Sequence, residues 1–161
     1  MGTRSRIGVM HGDVCKSVYC HWDGYLEHNG QILSTHYKDS TKANQLVSLG
    51  DMSCLRPNIG VKHAFSAFEL PEEERKAFEA EHADSCTFYG RDRGEDNTSW
   101  KVAHTFAEFL EQVEGCCAEY YYIMRDGVWY CGTVHEREEG LYNKLTALTE
   151  ALLTTKEETA V

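Results

Sequence analysis

The stretch Glu119–Val134, EYYYIMRDGVWYCGTV, decides the fold. Asp126-Gly127 suits a two-residue type I′ turn, whose central residues take positive φ and favour Asp, Asn and Gly. Pairing outward from it sets Met124 opposite Trp129, Ile123 opposite Tyr130 and Tyr122 opposite Cys131. Alternation along a strand sends Tyr121 to the face opposite Tyr120 and Tyr122. One face is expected in the core. The other is either core as well or a partly wet partner surface, for which tyrosine is suited.

A second hairpin is expected over Arg6–Trp22. Ile7, Val9 and His11 alternate with Arg6, Gly8 and Met10, and Gly12-Asp13 supplies the turn. Val14, Val18, Cys20 and Trp22 then share one face, with Cys15, Ser17, Tyr19 and His21 on the other. Asp23 is placed to cap a helix over Tyr25–Tyr37, with Leu26, Leu33 and Tyr37 on one stripe. Asp39 or Ser40 caps a short second helix that turns Ala43, Leu46 and Val47 inward and ends at Gly50. Residues Asp51–Leu70 read as irregular.

Pro71 and Glu72, Glu73 and Glu74 suit a helix start, through the fixed φ of proline and the helix dipole. Phe78 is the one large apolar residue that follows, so a solvated outer helix is expected, an insertion over residues 71–84. Cys86–Tyr89 reads as a strand, Gly90–Asp96 as a charged loop, and Trp100–His104 as a further strand. Thr105-Phe106-Ala107-Glu108 matches a capping box, and Phe106, Phe109, Leu110 and Val113 follow at helical spacing up to Gly115. A terminal helix is expected over Leu141–Leu153, with a frayed tail after Thr154. The two hairpins predict a single α+β domain, a mostly antiparallel sheet with helices packed on it.

The chain has 161 residues, enough for one domain with a core that needs no staples. Hydrophobic residues make up 42%, which argues against disorder, and no apolar run reaches the ~20 residues of a membrane span. Met1–Arg6 lacks the apolar centre of a signal peptide. The formal net charge is −10. That disfavours a long nucleic acid, whose phosphates need a basic surface, but leaves room for a small anion held by local arginines. The acids cluster at Glu69–Glu81, Glu95-Asp96, Glu136–Glu139 and Glu157-Glu158. The seven cysteines, an odd number without paired zinc spacing, are read as free structural thiols in a reducing cytoplasm, with no metal site.

Two clusters could bind a ligand. In Phe88-Tyr89-Gly90-Arg91-Asp92-Arg93-Gly94, the guanidiniums of Arg91 and Arg93 can fork onto phosphate or carboxylate oxygens while the aromatic residues stack a base. The competing reading pairs both arginines with Asp92, Glu95 and Asp96. In His21-Trp22-Asp23-Gly24-Tyr25, at the junction of hairpin and helix, His21, Trp22 and Tyr25 offer stacking faces and hydrogen-bond groups. There the competing reading has Trp22 plugging the core. Eight histidines fall in no catalytic spacing: HExxH, GxSxG and GxxxxGK[ST] are all absent. A non-enzymatic protein without cofactor is expected.

Ser5-Arg6-Ile7-Gly8, Val18–Tyr25, His36-Tyr37, Leu49–Leu55, Tyr89–Glu95 and Glu119–Tyr122 together resemble a family of small bacteriophage-encoded accessory proteins without an assigned biochemistry. The resemblance implies a protein of the host bacterial cytoplasm that counters host defence. The leading expectation is sequestration of a small nucleotide-type immune signal. Its site would be Arg91, Arg93, His21, Trp22, Tyr25 and Tyr89, within one chain or completed across a homo-oligomer boundary. The alternative is a non-enzymatic inhibitor of a host defence protein, anti-CRISPR-like or a nucleic-acid mimic. Degradation of the signal by catalysis is the third expectation.

Overall fold

The computed structural model describes residues 2–65, 70–134 and 146–148. In chain order it contains β1 (Ser5–His11), β2 (Val14–Cys20), a π-helical turn (Leu26–Gly30) that runs into α1 (Gln31–His36), α2 (Ser40–Ser48) and β3 (Met52–Cys54). These are followed by α3 (Glu72–His82), β4 (Thr87–Phe88), α4 (Tyr89–Arg93), β5 (Lys101–Ala103), α5 (Phe106–Gly115), β6 (Tyr120–Arg125), β7 (Val128–Thr133) and β8 (Thr146–Ala147).

β1 and β2 pair antiparallel around Gly12-Asp13, from Ser5↔Cys20 to His11↔Val14. β6 and β7 pair antiparallel around Asp126-Gly127, with Met124 opposite Trp129 and Tyr122 opposite Cys131. Asp126 and Gly127 have φ of 53° and 78°, the positive values a two-residue type I′ turn requires. The strand order is β4-β3-β2-β1-β6-β7-β8, and β5 joins the free edge of β2 beside β3.

The sheet is α+β but mixed, which corrects the expectation of a mostly antiparallel one. β1 and β6 run parallel from Ser5↔Tyr120 to Val9↔Met124, and β2 and β3 run parallel at Cys20↔Met52. Parallel neighbours need a long crossover, and the one from β1 to β6 carries α1 to α5. Local patterning reveals hairpins but not how a distant pair of them is joined.

Alternation divides the sheet between two cores. Ile7, Val9, Val18, Tyr122 and Met124 pack with Leu33 and Tyr37 of the first helical segment and with Ala43, Leu46 and Val47 of α2. Cys15, Tyr121 and Ile123 pack with Phe109, Leu110 and Val113 of α5. Tyr121 and Tyr122 are therefore both core, on opposite faces, and the partner-surface reading of this strand is overturned. The Tyr122 hydroxyl donates to the Gly24 carbonyl (2.6 Å), and Trp129 Nε1 donates to the Tyr37 carbonyl (2.9 Å).

The caps follow from local chemistry. The Asp39 carboxylate accepts from Thr41 N (2.9 Å) at the start of α2. Thr105 Oγ1 accepts from Glu108 N (3.1 Å), while Glu108 Oε2 accepts from His104 N (2.7 Å) at the start of α5. Other expectations are corrected. Asp23 does not cap the first helix: it takes φ of 55°, and Tyr25 occupies the cap without a side-chain bond. The charged loop Gly90–Asp96 is largely α4, with Gly94 (φ 74°) at its end. The irregular stretch contains β3, and Asn58 bridges to Ser85. α5 does end at Gly115, as expected, and Cys117 takes the left-handed conformation beyond it. α3 has no buried residue. Most of the expected helix Leu141–Leu153, and all of the tail, lies outside the described residues. Thr146 and Ala147, which the expectation placed in that helix, instead form β8 against Cys131 and Tyr130.

Gly50 closes α2 with φ of 89°, and a Cβ there would run into the Thr98 carbonyl. Gly50→Ala is expected to destabilise the protein by ~2 kcal/mol or more, read as a lowered urea midpoint with an unchanged slope.

Candidate functional site

β3 runs parallel to β2 and antiparallel to β4, so the exit of β2, the start of β3 and the exit of β4 meet at Cys20, Met52 and Phe88. His21 N donates to the Met52 carbonyl (3.1 Å) and Trp22 N to the Ser53 carbonyl (3.0 Å), so the β2 exit is stitched along β3. Met52 pairs with Phe88, which brings Tyr89 to the same end of the sheet, where its hydroxyl bonds the Ser53 side chain. Phe65 lies 5.5 Å from the Tyr89 ring, and the Arg93 guanidinium lies over Phe65 at 5.0 Å. Arg93 is exposed and makes no ion pair among the described residues.

Beside this platform stands a second group. The Tyr19 hydroxyl is 2.6 Å from His21 Nδ1, and the His21 and Trp22 rings meet edge-on at 4.7 Å. Trp22 is 44% exposed, so it does not plug the core as one reading expected. Burial pushes the Tyr19 phenol up to about 12, which keeps it protonated. Burial, with the nearby Arg4 charge, lowers His21, so its ring is neutral at neutral pH. Burial also raises Tyr89. The site thus offers aromatic faces, neutral hydrogen-bond groups and the cations of Arg93 and Arg4.

Arg91 belongs elsewhere. Its Nε and Nη2 fork onto the Asp92 carboxylate (3.0 and 3.2 Å), its Nη1 reaches the Ile59 and Gly60 carbonyls, and Nη2 also donates to the Cys86 carbonyl. Its side chain is 13% exposed and that of Asp92 is 0%. Asp92 in turn accepts from Phe88 N (2.8 Å) and His63 N (3.1 Å). This fork binds α4 to the Asn58–His63 segment and leaves Arg91 no free donor face for a phosphate. Of the two readings of the arginine pair, Arg91 follows the internal one and Arg93 remains available. Tyr25 also stands apart: its hydroxyl reaches Asp23 (3.4 Å) and its ring faces His28, while the Asp23 charge raises its pKa. Of the six expected residues, Arg93 and Tyr89 flank Phe65, His21 and Trp22 meet edge-on, and the two groups adjoin the β3 segment through Tyr89 N on Asp51 O and Trp22 N on Ser53 O. Phe65 and Arg4, which lie in no motif, and Tyr19, which the Val18–Tyr25 stretch contains without marking it, join them.

Asp51 supports the site from below. Its Oδ1 accepts from Tyr19 N (2.9 Å), its backbone N donates to Thr98 O, and its carbonyl accepts from Tyr89 N. Burial raises its pKa above the ordinary 3.8. A raised carboxylate pKa means that the folded state holds the proton more tightly, so ionisation costs stability. That cost is absent below the ordinary value and fully present above the folded one.

Among the described residues, no three His, Cys, Asp or Glu side chains gather as a metal site requires, and no helix is long and apolar enough to cross a membrane. Cys15 and Cys20 are buried, and burial holds both thiols at about 12, which makes them poor nucleophiles at neutral pH.

Arg91→Ala is expected to cost ~3 kcal/mol by leaving the Asp92 carboxylate buried without its cation, while Arg93→Ala stays within ~0.5 kcal/mol, both read by urea unfolding. Asp51→Asn keeps an acceptor for Tyr19 N; it is expected to exceed the wild type in stability at neutral pH and to lose that advantage below pH 3.8. No family model, no curated protein and no solved structure matches this chain.

Proposed function

We propose that this protein is a non-catalytic binder of a small nucleotide-type anion. The observation that carries the reading is the Arg93–Phe65–Tyr89 stack, in which the guanidinium is exposed and both rings are half-buried. A base laid on an aromatic face gains ~1–3 kcal/mol, and an adjacent guanidinium adds both cation–π attraction and a fork for phosphate oxygens. Arg93 supplies that fork, Arg4 adds charge near His21, and the neutral His21 ring hydrogen-bonds a base or ribose edge. The aromatic, guanidinium and imidazole groups of this arrangement suit holding a ligand, and the buried Cys15 and Cys20 thiols stay protonated. Taken with the resemblance to phage accessory proteins, the reading becomes capture of a nucleotide immune signal in the host cytoplasm.

A second reading draws on α3. Glu72, Glu73, Glu74, Glu79 and Glu81 sit on a helix with no buried residue. Such an acidic ridge suits direct binding to a basic, nucleic-acid-binding surface of a host protein.

The experiment incubates the purified protein with cyclic oligonucleotides and ADP-ribose derivatives, removes the protein by heat, and follows the solution by mass spectrometry. Depletion of one compound, with its intact return on heating, is expected. Arg93→Ala and Tyr89→Ala should each weaken capture by about tenfold or more while leaving the fold in place. A chemically altered compound would make the protein an enzyme. No depletion across the panel would transfer the function to the α3 ridge.

A further inference from the structure

The opposite end of the sheet holds a separate feature. Because β1 and β6 run parallel, the Gly12-Asp13 and Asp126-Gly127 turns lie at the same end, away from His21 and Trp22. Between β2, β5, β6 and the first turn of α5 lies a cavity of about 210 Å³. Its floor is apolar, formed by Met10, Cys15, Ala103, Phe106, Phe109 and Ile123. Asp13 and Arg125 stand at its mouth on different strand ends, both exposed. The Arg125 guanidinium lies over the Tyr130 ring at 4.9 Å, which orients it without neutralising it. Neither Asp13 nor Arg125 forms an ion pair among the described residues.

Size and charge together select a ligand. A cavity of about 150 Å³ holds a benzene-sized ring, whereas drug-sized ligands occupy roughly 300 Å³ and more. The volume here fits one ring or one branched aliphatic group with a short head. The apolar floor takes that group out of water. The polar part of the lining is Asp13, His104, Thr105, Arg125 and Tyr130, of which Asp13 supplies a carboxylate and Arg125 a guanidinium to the head. A simple acid gains from Arg125 but is repelled by Asp13, and a simple amine meets the reverse; only a head carrying both charges satisfies both residues. We propose that this cavity binds a free apolar α-amino acid, with the side chain on the floor, the carboxylate on Arg125 and the ammonium on Asp13. The ligand is held without reaction, since no group in the floor is an active nucleophile. The site is independent of the nucleotide platform and lies at the other end of β1 and β2.

Calorimetric titration of the full chain with L-phenylalanine, phenylacetate and 2-phenylethylamine tests the assignment. L-Phenylalanine is expected to bind about tenfold or more tightly than either single-charge analogue. Arg125→Ala should bring it down to the level of the amine, and Asp13→Asn to the level of the acid. Both positions are exposed, and an unchanged urea midpoint verifies that each variant folds. The proposal is overturned if L-phenylalanine does not bind, if the three compounds bind alike, or if neither variant changes its affinity.

Discussion

The parallel pairing of β1 with β6 is the constraint from which the rest of the architecture follows. It places a strand of each hairpin at the centre of one sheet, with polar backbone groups satisfied on both sides. A central parallel pair has to be covered on both faces. α1 and α2 cover one face and α5 the other, and the buried apolar side chains of β1, β2 and β6 are divided between two cores. The same pairing gives the sheet two chemically different ends. One gathers the exits of β2 and β4 around the start of β3, and the other gathers the two tight turns. The candidate nucleotide platform belongs to the first and the apolar cavity to the second.

Much of this architecture is written locally. The Asp126-Gly127 turn, the Asp39 cap, the Thr105 and Glu108 bonds at α5, and the inward triad Ala43, Leu46 and Val47 all depend on residues close together in sequence. The parallel joint between the hairpins depends on residues more than a hundred positions apart, and no local period encodes it. β3 is three residues long and leaves no periodicity to read. Asp23 carries the right side chain for a cap, yet its positive φ and the π-helical turn after Tyr25 move the helix start beyond it. Arg6 is the plainest limit of patterning. It is 2% exposed, yet it lies within the α5-side layer with Nε on Ser17 Oγ (2.7 Å) and Nη2 on Ser17 O (3.1 Å). Composition alone would place an arginine outside.

The candidate site shows the same division. Arg91 and Arg93 are two residues apart on a short helix, and their side chains leave it in different directions. Arg91 turns inward because Asp92 is buried and needs a cation, and because three backbone carbonyls await donors beside it. Arg93 meets no such acceptor and rests on Phe65. A sequence motif counts both guanidiniums alike; burial of the neighbouring carboxylate decides which of them is free. Tyr19 and Arg4 join the site only because β2 and the segment before β1 lie side by side, a fact of strand register rather than of motif.

The long loop closed by β1 and β6 also sets the order in which the fold can assemble. During synthesis the β1–β2 hairpin leaves the ribosome about a hundred residues ahead of the strand that completes its edge. Throughout that interval Ser5–Val9 present unpaired amides and carbonyls next to apolar Ile7 and Val9, the kind of edge on which strands from other chains can dock. Closure over so long a separation is slow compared with hairpin formation, so the helices that cover this sheet have no finished surface to dock on until β6 has been made. The segment that decides the fold is thus also the one whose strands reach the β1–β2 hairpin late.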